Sequence, residues 1–273
     1  MQTLYGIHPV EEALKAGKRR FDHVLVARER RDERLEAIVS LARELKIRVR
    51  TEPRETLTDM ARTPAHQGVV AIVRAQEFLT IEDILDSSGW DPTGQPRLIL
   101  ALDGIEDPQN LGALLRSADG AGVDSIVMTE RRAAPLSAVA AKAAAGAQEH
   151  LRIARVVNLV RSLEDLKRNN IWIIGLDERG TMDYDQYDFT GDCALVMGRE
   201  GDGLHDLVRR TCDHLLRIPM AGGVSSLNVS AAGAVVLFEA YRQRRNQQRT
   251  QSPGSDKSSP TPSKPKKQKG LGS

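Results

Sequence analysis

Apolar residues along the first 76 positions change spacing twice. HVLVA at 23–27 is a short unbroken run of the kind a buried strand carries, whereas Leu35, Ile38, Val39, Ala42 and Leu45 recur so as to fall on one face of a helix. QGVVAIV at 67–73 returns to a strand run. The pattern predicts a small α/β domain over residues 1–76. The polar stretch that follows, with DSSGWDPTGQP at 86–96, is rich in turn formers and predicts a linker over 77–96. From Arg97 the alternation resumes on a larger scale. LILALDGI (98–105) reads as a buried strand, LGALLRSADGAG as a helix and SIVMT as a strand, and WIIGLD (172–177), ALVMG (194–198) and LLRIPM (215–220) are further strand candidates with helical segments between them. Strands alternating with helices predict a mostly parallel sheet covered on both faces over 97–245. Ligands of such sheets bind beyond the carboxyl ends of the strands.

Composition adds two points. The 273 residues are 40% hydrophobic and 28% charged, an ordinary globular balance, but aromatics are scarce at 4% for a protein that would stack bases on aromatic platforms. The net charge of +2 conceals an asymmetry: residues 242–273 hold nine Lys or Arg and one Asp, which leaves 30 basic and 36 acidic residues before them. A mildly acidic body must meet nucleic acid through a local patch or with help from this tail. The tail over 246–273, Ser-, Pro- and Lys-rich with little to bury, is expected to be disordered from about Thr250 and to serve as a solubilising segment or as an electrostatic tether. The opening MQTLYGIHPV has no basic segment followed by an apolar stretch, and no run approaches the ~18 apolar residues of a membrane span, so a cytoplasmic protein without a membrane partner is expected. Cys193 and Cys212 have neither a disulfide framework nor CxxC spacing and read as reduced, apolar fillers.

Three loops after strands carry polar chemistry. In DGIEDPQNLGALLR (103–116), Pro108 stops the strand, Asn110 is suited to cap the next helix, and Arg116 lies on that helix. Read alone, the segment is a capped helix with one solvated arginine. VMGREGDGL (196–204) places three glycines after a strand, where backbone can approach a ligand closely, and Glu200 among them could pair with an arginine or accept from a substrate hydroxyl. IPMAGGVSSLNVSAAGAVVLFEAYRQR (218–244) joins a strand to a helix rich in small residues, for which Ser225, Ser226 or Asn228 could act as cap. Small residues there permit close packing inside the domain or against a second subunit.

Absences exclude several classes. GxxGxG is not the dinucleotide GxGxxG, no Gly-Lys-Ser/Thr follows, no HExxH or GxSxG is present, and no ligand cluster suggests a metal. His66 in AHQGVV reads as a structural residue at a strand start.

Taken in order, NLGALLR (110–116), MGREGDGL (197–204) and IPMAGGVSSLNVSAA (218–232) resemble the three motifs of the SpoU branch of the SPOUT RNA methyltransferases. LYGIHPVEEAL (4–14) and AHQGVVA (65–71) are similar to the small substrate-binding domain of the members that act on ribosomal RNA, and the likeness runs from about residue 3 to 244. The resemblance implies an α/β fold of two parts: an L30e-like RNA-binding domain and a SPOUT methyltransferase domain closed by a trefoil knot, an exception to the usual rule against knots. It implies a homodimer formed through the knotted region, which suits the small-residue helix at 229–236. S-adenosylmethionine would lie in the knot, touching mainly backbone around Gly198, Ile218 and Leu227.

Arg116 matches the family's catalytic arginine, with Asn110, Glu200, Ser226 and Asn228 around it. A guanidinium stays protonated and is a poor base, so electrostatic positioning of an RNA phosphate is its minimum role. Glu200 would orient Arg116 or the ribose, and the other three would shape the loop and the hydroxyl's surroundings. The implied activity is 2′-O-methylation of a guanosine ribose in the peptidyl-transferase region of 23S rRNA, with 23S rRNA or a ribosomal precursor as partner and no metal or DNA involved. A tRNA ribose methyltransferase is the rival within the class, and a non-catalytic RNA-binding protein the rival outside it.

Overall fold

A computed structural model describes residues 1–29, 32–86 and 95–251. The amino-terminal unit is a four-stranded sheet of β1 (Gln2–Tyr5), β2 (Phe21–Ala27), β3 (Arg48–Glu52) and β4 (Val69–Val73) in the order β1-β4-β2-β3. Helices α1 (Ile7–Ala16) and α2 (Glu33–Glu44) cover one face, burying Val10, Leu14, Leu35 and Ile38 against Leu4, Val24 and Val26. Helix α3 (Arg54–Ala61) covers the other through Leu57. Asp32 starts α2 by accepting from the Leu35 amide at 3.1 Å, one of the orphan donors of a helix N-terminus.

The second unit is a seven-stranded, wholly parallel sheet: β5 (Leu98–Leu102), β6 (Ser125–Thr129), β7 (Arg152–Val156), β8 (Trp172–Leu176), β9 (Met182–Asp183), β10 (Cys193–Met197) and β11 (His214–Arg217), in the order β7-β6-β5-β10-β8-β11-β9. Successive side chains of a strand point to opposite faces. Leu98, Leu100, Leu102, Leu195 and Met197 accordingly meet α5 (Pro108–Gly120), α6 (Ala138–Ala143) and α9 (Val229–Gln251), while Ile99, Ala101, Ala194 and Val196 meet α4 (Ile81–Leu85), α7 (Leu159–Arg168) and α8 (Asp206–Thr211). Every residue of β5 and β10 is buried, as continuous apolar runs in a doubly covered sheet require.

Two boundaries differ from the sequence reading. The expected linker contains α4, capped reciprocally by Thr80 and Asp83, and Leu79 bridges Ala154 of β7, so residues 79–85 belong to the second unit because Ile81 and Ile84 bury against its sheet. DSSGWDPTGQP lies mostly outside the described residues. The expected tail begins too early: α9 continues to Gln251, and 252–273 lie outside the described residues. The turns just before the extension are held by polar anchors on which hydropathy is silent, and within it Gln248 donates to Gln95 at 3.1 Å. Gln243 bonds the Phe189 amide and the Tyr187 carbonyl, and Arg244 donates to the carbonyls of Pro96, Arg97, Phe189 and Gly191. Among the described residues, no helix is long and apolar enough to cross a membrane.

Candidate active site

The carboxyl ends of β5, β8, β10 and β11 point the same way, and the loops that leave them meet. The loop after β10 is folded on itself: the Arg199 and Gly203 amides and carbonyls exchange bonds of 3.0 and 3.1 Å. Gly198 permits this, because a Cβ there would stand 2.2 Å from the carbonyl carbon of Gly203, and Gly201 and Gly203 take the left-handed φ values of 82° and 69°. The turn thrusts Glu200 toward the start of α5. There the Asn110 side-chain amide donates to Glu200 Oε2 at 3.0 Å, while Asn228, at the start of α9, donates to Glu200 Oε1 and to Asn110 Oδ1, each at 3.0 Å.

The three side chains thus form a closed ring of hydrogen bonds across 118 residues of sequence. Asn228 also caps α9, its Oδ1 accepting from the Ser230 amide at 2.9 Å. Asn110 does not cap α5. Asp107 does, accepting from the Gln109 and Asn110 amides, which releases the Asn110 side chain for Glu200.

Behind this ring lies a cavity of about 760 Å³, counted to its open mouth. Gly198, Glu200, Ile218, Ser226 and Leu227 all line it, together with the apolar side chains of Leu176, Met197, Met220 and Val229. Arg116 does not. It stands exposed on α5, with no hydrogen bond or ion pair to a described residue, and lines a separate recess with His8, Glu12, Asp119 and His150. The expected grouping of Asn110, Glu200, Ser226 and Asn228 around Arg116 is therefore not present within one chain, because six residues along α5 carry Arg116 to a different face from Asn110. Of the two placements left open for the small residues of α9, the structure has the one inside the domain. A Cβ on Gly233 would lie 2.4 Å from Leu114 Cδ2, so they serve the α5–α9 contact inside the domain, and the outward face carries Val235, Phe238 and Tyr241.

Sequence reasoning missed two buried carboxylates at the strand ends. Asp103, directly after β5, accepts from the His205 amide at 2.8 Å and pairs with His205 Nδ1 at 2.9 Å, pinning the far end of the glycine loop. Asp177, directly after β8, lines the cavity and accepts from the Arg179 backbone and guanidinium, each at 2.9 Å. Burial pushes the Asp177 carboxyl up, but the side-chain and backbone bonds from Arg179 and its charge outweigh this and hold the group below the usual carboxylate range. The available signal was a single acidic residue ending each apolar run, in LILALD and WIIGLD. His66 is fully buried and purely structural, bonded to Thr58 Oγ1 and the Gly68 amide at 3.1 Å each.

The cavity suits a sulfonium nucleoside. Its walls combine apolar side chains and close-approaching glycine backbone, whose N–H and C=O groups can read an adenine edge, with the carboxylates of Asp177, Glu178 and Glu200, which favour a cation.

Comparison with known proteins agrees with this geometry. The profile of the SpoU rRNA Methylase family matches residues 97–238, and that of RNA 2'-O ribose methyltransferase substrate binding matches residues 3–79. A Vibrio parahaemolyticus protein named 23S rRNA (guanosine-2'-O-)-methyltransferase RlmB is 44% identical over 243 residues, covering 89% of this chain and 97% of that protein. Among solved structures, the SpoU methyltransferase AviRb from Streptomyces viridochromogenes in complex with AdoMet is 26% identical with a TM-score of 0.75, covering 89% of this chain and 90% of that one. The TrmH/SpoU tRNA modifying enzyme of A. aeolicus is 26% identical with a TM-score of 0.52, covering 66% of this chain and 91% of that one.

Proposed function

The chain belongs to the SpoU rRNA methylase family, and from that membership we propose that it methylates the 2′-hydroxyl of a guanosine ribose in 23S rRNA, with S-adenosylmethionine as donor. One observation carries the reading: Asn110, Glu200 and Asn228, far apart in sequence, close into a hydrogen-bonded ring at the mouth of a cavity lined by Gly198, Ile218 and Leu227. The 23S rRNA substrate is supported by a likeness to RlmB that spans both units, whereas the tRNA modifying enzyme reaches only 66% of the chain.

S-adenosylmethionine, when bound, supplies an electrophilic methyl on a cationic sulfur. The apolar side chains of Leu176, Met197, Met220 and Val229 would hold its hydrocarbon parts, and the carboxylates of Asp177 and Glu178 in the same wall would favour its positive charge. Glu200 keeps one acceptor direction on each oxygen after receiving the two amides, and so can take a bond from the ribose hydroxyl and hold it in line. Asn110 and Asn228 fix the carboxylate by bonding opposite oxygens, and Ser226 flanks the same mouth. Arg116, exposed and without a carboxylate partner among the described residues, holds an RNA phosphate and so positions the nucleotide.

Association into a homodimer is supported by the outward apolar side chains of α9, Val235, Phe238 and Tyr241, a cluster that a solitary surface helix has little reason to expose. A cytoplasmic site of action fits an rRNA substrate.

The test is methyl transfer from labelled S-adenosylmethionine to purified 23S rRNA and, separately, to tRNA, with product mapping. Label at one 23S guanosine ribose, lowered by roughly 10²-fold or more in Arg116→Ala, is the expected result. Label in tRNA alone would overturn the substrate assignment, and transfer to neither would overturn the activity.

A further inference from the structure

The two units are joined by a buried ion pair, and the cleft around it has an unbalanced charge. Arg19 is 8% exposed and meets Glu149 through Nε and Nη2, both at 2.8 Å; its remaining donors reach Gln2, Gln76 and the Arg74 carbonyl. This pair consumes one charge of each sign. The cleft it floors, about 1160 Å³ to its open mouth, is also lined by Lys18, Arg20 and Arg74, with Glu77 as the other carboxylate, while Arg152 at its edge donates to the Asp83 carbonyl.

Arg20 and Arg74 are exposed, and neither guanidinium has a hydrogen bond or ion pair to a described residue. They are nonetheless held side by side, since the Arg74 amide donates to the Arg20 carbonyl at 2.9 Å. Two exposed guanidiniums that leave bonded backbones, in a body with more acidic than basic residues, concentrate positive charge at one place on the surface and attract an anion there. Lys18 joins them, its ammonium 3.5 Å from the carbonyl of His150.

The cleft also has a direction. His150, beside Glu149, lines the neighbouring recess in which Arg116 stands, so the cations of the cleft and Arg116 follow one seam between the units.

We propose that this seam is a track for the phosphodiester backbone of the substrate RNA, with Lys18, Arg20 and Arg74 holding phosphates that lie along the strand from the one Arg116 positions. The inference rests on the RNA-methylating function proposed above and adds where the RNA runs. Cations that contact phosphates position the strand without reading its sequence.

The test is binding of 23S rRNA to the full chain across a series of KCl concentrations, comparing wild type with Arg20→Gln/Arg74→Gln and with Arg34→Gln/Arg43→Gln, an equal charge loss on the exposed side of α2. The expected result for the cleft pair is roughly tenfold weaker binding and a salt slope flattened by about two, with KM for rRNA rising in parallel. Unchanged unfolding and S-adenosylmethionine affinity serve as the check on folding. Wild-type affinity and slope in the cleft pair would overturn the track, as would an equal loss in the α2 pair. A wild-type chain that transfers no methyl to rRNA would sink the function proposed above, while the binding comparison would still decide the track.

Discussion

Asp124 follows the turn after α5 and closes the amino-terminal end of β5, accepting from the Leu98 amide. It is half-buried, and desolvation pushes its carboxyl up to about 7 against the pull of the Leu98 bond and of Arg244, with Asp192 adding to the rise. A folded-state pKa above the unfolded value of 3.8 means that the folded chain holds this proton more tightly, so the group's contribution to stability is full below about pH 4 and is lost as pH rises toward 7. Asp124→Asn keeps an acceptor for Leu98 and removes the charge. The variant is expected to gain stability over wild type progressively between pH 4.5 and 8, by roughly 1–4 kcal/mol at the upper end, as read by chemical unfolding at both pH values. Equal stability at pH 8 would refute the assignment.

At this scale the sequence was most readable where motifs crowd polar residues into loops. Asn110, Glu200 and Asn228 stood out in that way and do meet. Asp103 and Asp177 did not, because what makes them matter is burial at a strand end, which no local pattern of polar residues reveals. Arg116 was recognised by likeness alone, and its separation from the ring follows from helical geometry that only coordinates make visible.

Among elements, α9 has two faces with different tasks. Ala232, Gly233, Val236, Leu237 and Ala240 are buried in the domain, where the missing side chain of Gly233 lets Leu114 of α5 approach. Phe238 and Tyr241 face outward, their rings 6.2 Å apart. Replacing Phe238 by Asp puts a charge in the outward face and leaves the inward one intact. Light scattering is expected to show a shift from dimer to monomer in Phe238→Asp with the circular dichroism spectrum unchanged; a monomeric wild type would refute the interface.

The strands that periodicity missed share a cause. RVRTE of β3 has one apolar residue, and it, QTLY of β1, RIARV of β7 and the two-residue β9 all sit at the margins of their sheets, where one neighbour is absent and polar residues are tolerated. Central strands such as β5 and β10, covered on both faces, were legible almost to the residue.

For the molecule as a whole, the Arg19–Glu149 pair is the contact whose loss should be felt most widely. Breaking a buried pair from one side leaves an uncompensated charge, at a cost of about 3–5 kcal/mol. Arg19→Met is expected to lower stability by that order and to split thermal unfolding into two transitions, one per unit, in calorimetry. A single transition at the wild-type temperature would show that the junction is held by the apolar contacts of Ala141 and by the Gln2–Leu136 and Lys142–Ala65 bonds instead.

Among the described residues all eleven strands precede Ile218, yet the ring around Glu200 needs Asn228, and the core face over β5 and β10 needs the helix that Asn228 caps. During translation the chain therefore completes both sheets before it has anything to catalyse with. A product terminated before Asn228 lacks both a member of the ring and the helix that covers β5 and β10, so it is born inert rather than partly active.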